Sequence, residues 1–274
     1  MYLFIYLLSR KVMAKEKRGD GTVGKALDVL NEVAEIGSPV RFSSLLKTSK
    51  YPKATLYRLL QTLLNQDMLS YNDEEQTYKL GLKLVRMAHA AWLQCSLAPI
   101  ALPFIDELSE KVGETVHLAQ LDNGQVLYVD KRNPSSPIEM YSQAGKVGPA
   151  YCTGVGKAMM AFLDEDALSR VISKQAFFKY TDFTITSEKA LRKELTIIKK
   201  QGIAFDKQEH EVKIICISSP ILSSKGRVIG GLSITSSIDI HSLESLQEFK
   251  PQLLKTSELI GKEAGAWNFP EQNN

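Results

Sequence analysis

With 274 residues, the chain is long enough to form two domains with separate hydrophobic cores. Its 44% hydrophobic and 24% charged residues are those of an ordinary folded protein and exclude a disordered or fibrous chain. The net charge of +3 is unevenly spread, because residues 10–58 hold eleven Lys or Arg and five Asp or Glu, a net of +6, which leaves −3 elsewhere. This basic N-terminal fifth indicates either a nucleic-acid surface or a solvated charged face.

Cysteine usage and the N-terminal residues bear on the compartment. Cys95, Cys152 and Cys216 are far apart and form no C-x-x-C pair, which argues against a disulfide framework or a structural zinc module. The apolar run at residues 2–8 is shorter than the roughly 20 residues of a membrane-spanning helix, and its positive charges follow it, unlike those of a signal peptide. We expect a cytoplasmic protein with no membrane partner and a native start at Met13. An apolar arm packed on a partner is the alternative.

Residues 49–64, SKYPKATLYRLLQTLL, predict a DNA-recognition helix. Pro52 suits the first helical turn, and the leucines of this stretch recur at i, i+3, i+4 and i+7, which is typical of a core-facing side. The opposite face carries side chains that can reach phosphates and base edges. These candidate DNA-binding residues are Lys53, Thr55, Tyr57, Arg58 and Gln61. In isolation the same stretch would also fit an ordinary amphipathic core helix.

The flanking elements favour the DNA-binding interpretation. Residues 23–36 predict a helix with Leu27, Leu30, Val33 and Ala34 on one side, and a shorter helix follows over residues 42–48. Downstream, two short strands flank the acidic turn at residues 72–75. This order is that of a winged helix-turn-helix, whose last helix enters the groove. The acidic turn should avoid phosphate.

The rest of the chain predicts a connecting helix followed by an α+β domain with an antiparallel sheet. A period-two pattern and hairpin residues predict strands, and helical periodicity predicts the elements between them. The predicted strands cover residues 115–121, 125–131, 138–142, 214–218 and 228–236. The predicted helices cover residues 81–97, 99–112, a segment that begins at residue 153, 188–201 and 242–261.

Seven segments resemble the IclR family of bacterial transcriptional regulators, in the order and spacing of that family. They are VGKALDVL, YPKATLYRLLQTL, YKLGLKL, GETVHLA, YCTGVGKAMMAFL, AFDKQEHEVKIICISSPI and GRVIGGLSIT. The resemblance implies a winged helix-turn-helix, a linker helix, and a GAF-like C-terminal domain with an antiparallel sheet. It also implies homodimers that often pair into tetramers, bind palindromic double-stranded operator DNA as repressors or activators, and respond to small organic acids.

On this basis the chain divides into five parts. They are an N-terminal extension (1–22), a winged helix-turn-helix DNA-binding domain (23–80), a linker helix (81–97), an effector-binding and oligomerisation domain (98–265) and a tail (266–274).

A candidate effector site begins where residues 153–156, TGVG, open a helix whose free N–H groups would face an anion. The P-loop pattern is not met at Tyr151 and Ala158, so a nucleotide site is not expected. The resemblance implies further contacts, with Gly154 and Val155 as backbone donors. It adds the side chains of Asp206, Cys216, Ser233 and Thr235 and the apolar walls Met140 and Ile214. Without the resemblance, a core cysteine and hydroxyls bonded to nearby backbone would explain the same residues.

Gly148 stands where relatives that bind the smallest acids carry a bulky apolar residue. The missing side chain predicts a larger pocket and a longer effector, such as a sugar acid or a 2-keto-3-deoxy acid. The segment MYSQAGKVGPAYCTGVGKA likewise resembles the branch of the family that responds to sugar acids of the 2-keto-3-deoxygluconate type. Regulation by aromatic acids or by glyoxylate and short keto acids is the alternative. Lys213 replaces a usual glycine, and we expect it in an exposed turn.

The cysteines and histidines offer two alternative classes of function. An enzyme would need Cys152 or Cys216 as nucleophile with His117 or His210 as base, but neither cysteine lies in a catalytic motif and no G-x-S-x-G occurs. A metal sensor would use the same four side chains, which come from separate elements without ligand spacing. We therefore expect no catalytic residues, no metal and no cofactor.

Overall fold

The computed structural model describes residues 21–266, so the expectations for a Met13 start, for the N-terminal arm and for residues 267–274 lie outside the described residues. The described chain divides into two compact units, one that ends at Gln94 and one that begins at Cys95.

The first unit is a three-helix cluster with a small antiparallel sheet in the order β1-β3-β2, followed by a further helix. Its elements are α1 (Gly21–Ile36), β1 (Val40–Arg41), α2 (Phe42–Thr48), α3 (Lys53–Asn65), β2 (Leu69–Asn72), β3 (Thr77–Leu80) and α4 (Leu82–Cys95). This arrangement confirms the predicted winged helix-turn-helix. Pro52 is the N-cap of α3 and precedes its first turn, with a φ of −59° that leads into the helix.

The core of the first unit forms between α1 and α3. Leu56, Leu59, Leu60 and Leu63 of α3 are buried, as their spacing predicted. The inward face of α1 differs from the prediction, because it consists of Val29, Leu30 and Val33. Leu27 is 51% exposed and Ala34 is exposed, since at about 100° per residue both lie on the flank of that stripe.

The turn before α3 is fixed to α1 by one carboxylate. Asp28 Oδ2 accepts a hydrogen bond from Lys50 Nζ at 2.6 Å and another from the Tyr51 hydroxyl at 2.6 Å. Charge-assisted bonds of this kind are stronger than neutral ones, so they hold the start of α3 in a defined position. At the tip of the wing, Asn72 Oδ1 accepts from the N–H groups of Glu74 and Glu75.

Helix α4 presents apolar side chains to solvent. None of its described side chains is buried, and Leu82, Val85, Met87 and Leu93 are all at least half exposed, with Leu82 at 83%. Within the described chain, no single helix is both long and apolar enough to cross a membrane. One pair of consecutive helices, Leu82–Gln94 and Ala98–Val112, meets that test of length and composition only when the two are taken together.

The second unit is an α+β domain built on a six-stranded antiparallel sheet in the order β6-β5-β4-β9-β8-β7. Its elements are α5 (Ala98–Val112), β4 (Thr115–Asp122), β5 (Gln125–Arg132), β6 (Val147–Gly148), α6 (Gly154–Met160), α7 (Glu165–Ile172), α8 (Glu188–Gln201), β7 (Ala204–Lys207), β8 (Ile214–Leu222), β9 (Val228–Ser237), α9 (Leu243–Leu246) and α10 (Lys250–Glu263). The predicted fold class is confirmed.

Helices cover both faces of this sheet, and two glycines of β9 mark the faces. A Cβ at Gly231 would lie 2.6 Å from Val155 of α6, whereas a Cβ at Gly230 would lie 2.8 Å from Leu97 at the start of α5. Consecutive residues of a strand point to opposite faces, so α6 and α5 pack on opposite sides of the sheet.

Five elements of the second unit were predicted wrongly or missed. The strand expected at residues 138–142 is wrong: the segment is irregular, and its Tyr141 N–H donates to the Glu211 carboxylate instead of to a neighbouring strand. The third strand is β6, which pairs with β5. Strand β7 and helix α7 were missed. The closing helix is interrupted, since Pro251 starts α10 after the 3₁₀ turn Gln247–Phe249.

Because each unit has its own buried residues, we predict that residues 96–266 fold without the first unit. The fragment should be soluble and should melt in a single cooperative transition in calorimetry. A fragment that binds hydrophobic dyes and melts without a heat-absorption peak would show that the second core needs the first unit.

Candidate functional site

Helix α3 presents a cationic, hydrogen-bonding face opposite its leucine stripe. Lys53, Tyr57 and Arg58 are exposed, with Tyr57 at 55%, while Thr55 and Gln61 are partly buried at the edges of the face. The sequence of α3 contains no acidic residue. Such a face matches the negative phosphates and base-edge acceptors of a major groove. The roles of these five residues in DNA binding stay predictions.

In the second unit, eight of the nine predicted effector residues line one cavity of about 30 Å³. They are Met140, Gly154, Val155, Asp206, Ile214, Cys216, Ser233 and Thr235. A volume of this size accommodates one or two water molecules. An organic acid of six carbons therefore requires side chains or loops around the cavity to move.

The start of α6 forms one end of the cavity. The Thr153 hydroxyl donates to the Pro149 carbonyl at 2.8 Å and does not cap the helix, whose first N–H groups lack intrahelical partners. A Cβ at Gly154 would lie 2.5 Å from Cys216 Sγ and 2.7 Å from Ser218 Oγ. The glycine is therefore needed for packing of α6 against β8.

Asp206 is the buried acid of the cavity. Its Oδ1 accepts a hydrogen bond from the Glu209 N–H at 2.8 Å. Burial raises the pKa of Asp206 to about 8, and the negative charge of Glu209 adds to this effect while Lys157 opposes it. A carboxyl with this pKa is largely protonated at neutral pH, so it can donate a hydrogen bond to a ligand oxygen.

A buried ion pair lies behind Asp206 and was not predicted from the sequence. Lys157 of α6 is fully buried and bonds the carboxylate of Glu209, which is 3% exposed, while Glu194 of α8 lies 4.0 Å from its Nζ. Burial is the main cause that raises the pKa of Glu209. Removal of either partner of such a pair leaves a costly buried charge, so the pair fixes α6 relative to β7.

The register of the sheet aligns the remaining polar residues on one face. Asp206 is opposite Cys216, and Cys216 is opposite Thr235. Two residues along the strands, Ser233 is opposite both Ser218 and His117. Residues directly opposite, or two apart, lie on the same side of a sheet.

His117 joins this row and was missed as an effector-site residue. Its Nδ1 lies 3.3 Å from Ser233 Oγ and 3.2 Å from Thr235 Oγ1, and its Nε2 lies 2.8 Å from Ser142 Oγ. Burial and the nearby charge of Lys131 lower the pKa of His117 to about 3, so the imidazole is neutral at physiological pH. Its position opposite Ser233 on the neighbouring strand is visible only once the strand register is known.

Gly148 is absent from the described lining of the cavity. The space beside it is filled by the ring of Tyr128, whose Cε2 lies 3.3 Å from a Cβ built at Gly148. The expectation that Gly148 enlarges the pocket is therefore wrong. The period-two pattern of β5 could have indicated that the Tyr128 ring points into the domain, because Val126 and Tyr128 lie on the same side of the strand and both are buried.

The irregular segment 137–146 covers the cavity and is fastened by side chains. Both carboxylate oxygens of Glu211 lie 3.1 Å from the Tyr141 N–H, and the Tyr141 ring packs edge-on against His210. Nearby, Lys213 is 61% exposed and pairs with Asp239 at 3.0 Å. Its φ of 70° lies in the left-handed region, which explains why glycine is usual at this position.

The four side chains weighed for metal or enzyme chemistry do not form one cluster. His117, His210 and Cys216 line the cavity, whereas Cys152 is buried outside its lining. Burial raises the pKa of both thiols, that of Cys216 to about 12. Among residues 21–266, no three His, Cys, Asp or Glu side chains are arranged to hold a metal ion.

A winged helix-turn-helix followed by an α+β domain with a polar cavity defines a ligand-responsive transcriptional regulator. Comparison with known proteins agrees with this class. Residues 22–73 match the IclR helix-turn-helix domain and residues 89–262 match the bacterial transcriptional regulator IclR C-terminal domain. The chain belongs to the IclR family, whose members compared here are regulators and not enzymes.

Individual relatives extend over most of the chain. It is 32% identical over 244 residues to the HTH-type transcriptional regulator KdgR of Escherichia coli K12, which covers 89% of this chain and 91% of that protein. It is 30% identical to KdgR of Dickeya chrysanthemi, over 89% of this chain and 79% of that protein. The crystal structure of Thermotoga maritima IclR superposes with a TM-score of 0.74 at 26% identity, over 89% and 98% of the two chains.

Asp206 and His117 predict a defined dependence of stability on pH. Folded Asp206 keeps its proton from its ordinary pKa of 3.8 up to about 8, so its contribution lowers the free energy of unfolding as pH rises through that window. Folded His117 stays neutral where the unfolded side chain is protonated, below pH 6.5, and therefore acts with the opposite sign there. Of these two groups, only Asp206 contributes between pH 6.5 and 8.

We therefore expect Asp206→Asn, which keeps an acceptor for the Glu209 N–H, to flatten the pH dependence between pH 6.5 and 8. Across this window the free energy of unfolding of the wild type should fall by up to about 2 kcal/mol relative to that of the variant, which corresponds to about 4–8 °C in Tm. Thermal melts at matched ionic strength provide the measurement. Parallel wild-type and variant curves would mean that Asp206 is already ionised at neutral pH.

Proposed function

We propose that this regulator binds a palindromic operator as a homodimer through α3 and that a small organic acid in the cavity changes its DNA affinity. The favoured effector is a sugar acid or a 2-keto-3-deoxy acid. The proposal rests on one observation: backbone donors, a buried acid and aligned hydroxyl groups all line the same cavity.

The DNA-binding part rests on charge and exposure. Arg58 is exposed on α3, away from the buried leucines, and Lys53 lies in the first turn of the same helix. Arginine recognises guanine edges and phosphates with two parallel hydrogen bonds. The acidic wing tip would repel phosphate, so we assign no DNA contact to Glu74 and Glu75.

The proposed dimer rests on the exposed apolar side chains of α4. Leu82, Val85, Met87 and Leu93 are exposed on one helix, and an apolar surface of this kind on a soluble regulator is covered by a partner. A second copy of the chain is the simplest occupant, because a two-fold dimer matches two operator half-sites about 10 bp apart, or a multiple of this distance. Pairing of dimers into tetramers follows from the resemblance. Access to chromosomal DNA places the protein in the cytoplasm.

The effector class rests on the two ends of the cavity. At one end, the N–H groups at the start of α6 and the protonated Asp206 favour a carboxylate or keto oxygen. At the other end, the hydroxyls of Ser233 and Thr235 match the hydroxyl groups of a sugar acid. Met140 and Ile214 supply the apolar walls.

The relatives named KdgR support the sugar-acid branch that the segment around Gly148 suggested. Gly148 itself adds no support, since the ring of Tyr128 occupies the space beside it. Regulation by an aromatic acid, glyoxylate or another short keto acid is the competing proposal. Short acids need less rearrangement of the small cavity.

We predict that Arg58→Ala weakens binding to an operator selected from a random duplex library with the wild-type protein. Loss of a base or phosphate contact should cost about 1–3 kcal/mol, a decrease of roughly 5- to 150-fold at fixed salt. Fluorescence anisotropy provides the measurement, and Arg227→Ala, an exposed arginine of the second unit, is the matched control. Equal affinity of Arg58→Ala and the control would remove this face of α3 from the DNA contact.

For the effector, we predict that calorimetry detects binding of 2-keto-3-deoxygluconate or another sugar acid, with a shift in operator affinity of about 1–3 kcal/mol. Ser233→Ala should weaken binding of the acid, because the Ser233 hydroxyl lines the cavity of the second unit. Operator binding in the absence of the acid should stay unchanged. Heat from 4-hydroxybenzoate or glyoxylate and from no sugar acid would replace the proposed effector class with the competing one.

A further inference from the structure

His117 occupies a position in the cavity that the family resemblance did not assign. It lies on the central strand β4, is 2% exposed, and lines the cavity beside Ser233 and Thr235. Its two ring nitrogens meet three hydroxyl groups, two on β9 and one on Ser142 of the covering segment. A buried histidine with three hydroxyl partners is more than a packing residue.

The number of protons at this cluster determines what it offers to a ligand. A neutral imidazole carries one N–H donor and one acceptor nitrogen. If Nε2 donates to Ser142, Nδ1 accepts from only one of the two β9 hydroxyls. If Nδ1 carries the proton instead, it donates, and neither β9 hydroxyl is needed as a donor to the ring. The remaining O–H can otherwise donate only to the other hydroxyl, and Ser233 Oγ and Thr235 Oγ1 lie 3.5 Å apart, farther than in an ordinary O–H···O bond. A ligand oxygen at normal distance is therefore the better partner for one O–H of Ser233 or Thr235 in both tautomers.

This cluster therefore presents groups that both donate and accept. Carboxylates and ketones only accept hydrogen bonds, whereas an alcohol does both. A site that is built to bond a ligand hydroxyl rejects the analogue that lacks it, because its buried polar groups are then left unpaired. Tyr128 packs against His117 with ring centroids 5.3 Å apart, and its ring forms an apolar wall of the cavity beside the hydroxyl groups.

We propose that His117 is a specificity-determining residue that orients the β9 hydroxyls and so selects acids with hydroxyl groups over equally charged acids without them. The inference rests on the proposed effector site and refines it, since it names which end of the ligand His117 reads. Ser142 adds a third hydroxyl to this end and links it to the segment over the cavity.

The test compares two keto acids of equal length, 2-keto-3-deoxygluconate and 2-ketohexanoate, which differ in their hydroxyl groups. Calorimetry on the full chain should show the wild type binding the hydroxylated acid at least tenfold more tightly. His117→Leu should bring this ratio close to one, through loss of affinity for the hydroxylated acid alone. His117→Asn, which keeps one donor and one acceptor, should retain most of the preference.

Controls separate selectivity from folding. A variant that only damaged the structure would lower the affinity for both acids equally. Thermal melts report a loss of stability directly. His241→Leu removes another hydrogen-bonded histidine of the second unit, whose Nδ1 lies 2.9 Å from Ser245 Oγ, and should leave the ratio unchanged. An unchanged ratio in His117→Leu would overturn the inference and leave the proposed effector class standing. A wild type that binds neither keto acid nor any other sugar acid would overturn both.

Discussion

The register of strands β7, β8, β9 and β4 is the constraint on which the effector cavity depends. It places Asp206, Cys216 and Thr235 in one row across the sheet, and Ser218, Ser233 and His117 in the next row on the same face. A slip of one residue in any of these strands would turn its polar side chains to the opposite face, where α5 and α10 pack. The cavity is therefore a property of the pairing pattern and not of any single strand.

Several of the polar groups buried around the cavity bond one another or remain uncharged. Lys157 and Glu209 form an ion pair inside the domain, and Asp206 avoids a buried charge by remaining protonated at neutral pH. His117 likewise stays neutral. The buried pair Lys157–Glu209 is thus accompanied by two titratable groups of the cavity, Asp206 and His117, that are uncharged at neutral pH.

What could be predicted from the sequence depended on the distance over which the determining contacts act. The leucine spacing of α3 fixed both its buried and its exposed face, because helical periodicity is local. The segment 138–142 was misread because its backbone is held by Glu211, about 70 residues away in the chain. The association of His117 with Ser233, over 116 residues, was equally invisible without the sheet register. Most effector residues came from the family resemblance and not from any pattern of their own.

The small volume of the cavity has a kinetic consequence. A six-carbon acid does not fit into about 30 Å³, so lining groups such as Tyr141, bonded to Glu211, and Ser142, bonded to His117, must move before such an acid reaches the buried donors. Its apparent affinity is then the intrinsic affinity multiplied by the fraction of molecules that are open. If the segment opens before the ligand binds, the observed association rate reaches a plateau at high ligand concentration. The rate at which the segment opens sets this plateau. The fastening of segment 137–146 would thereby limit how quickly transcription follows a change in effector concentration.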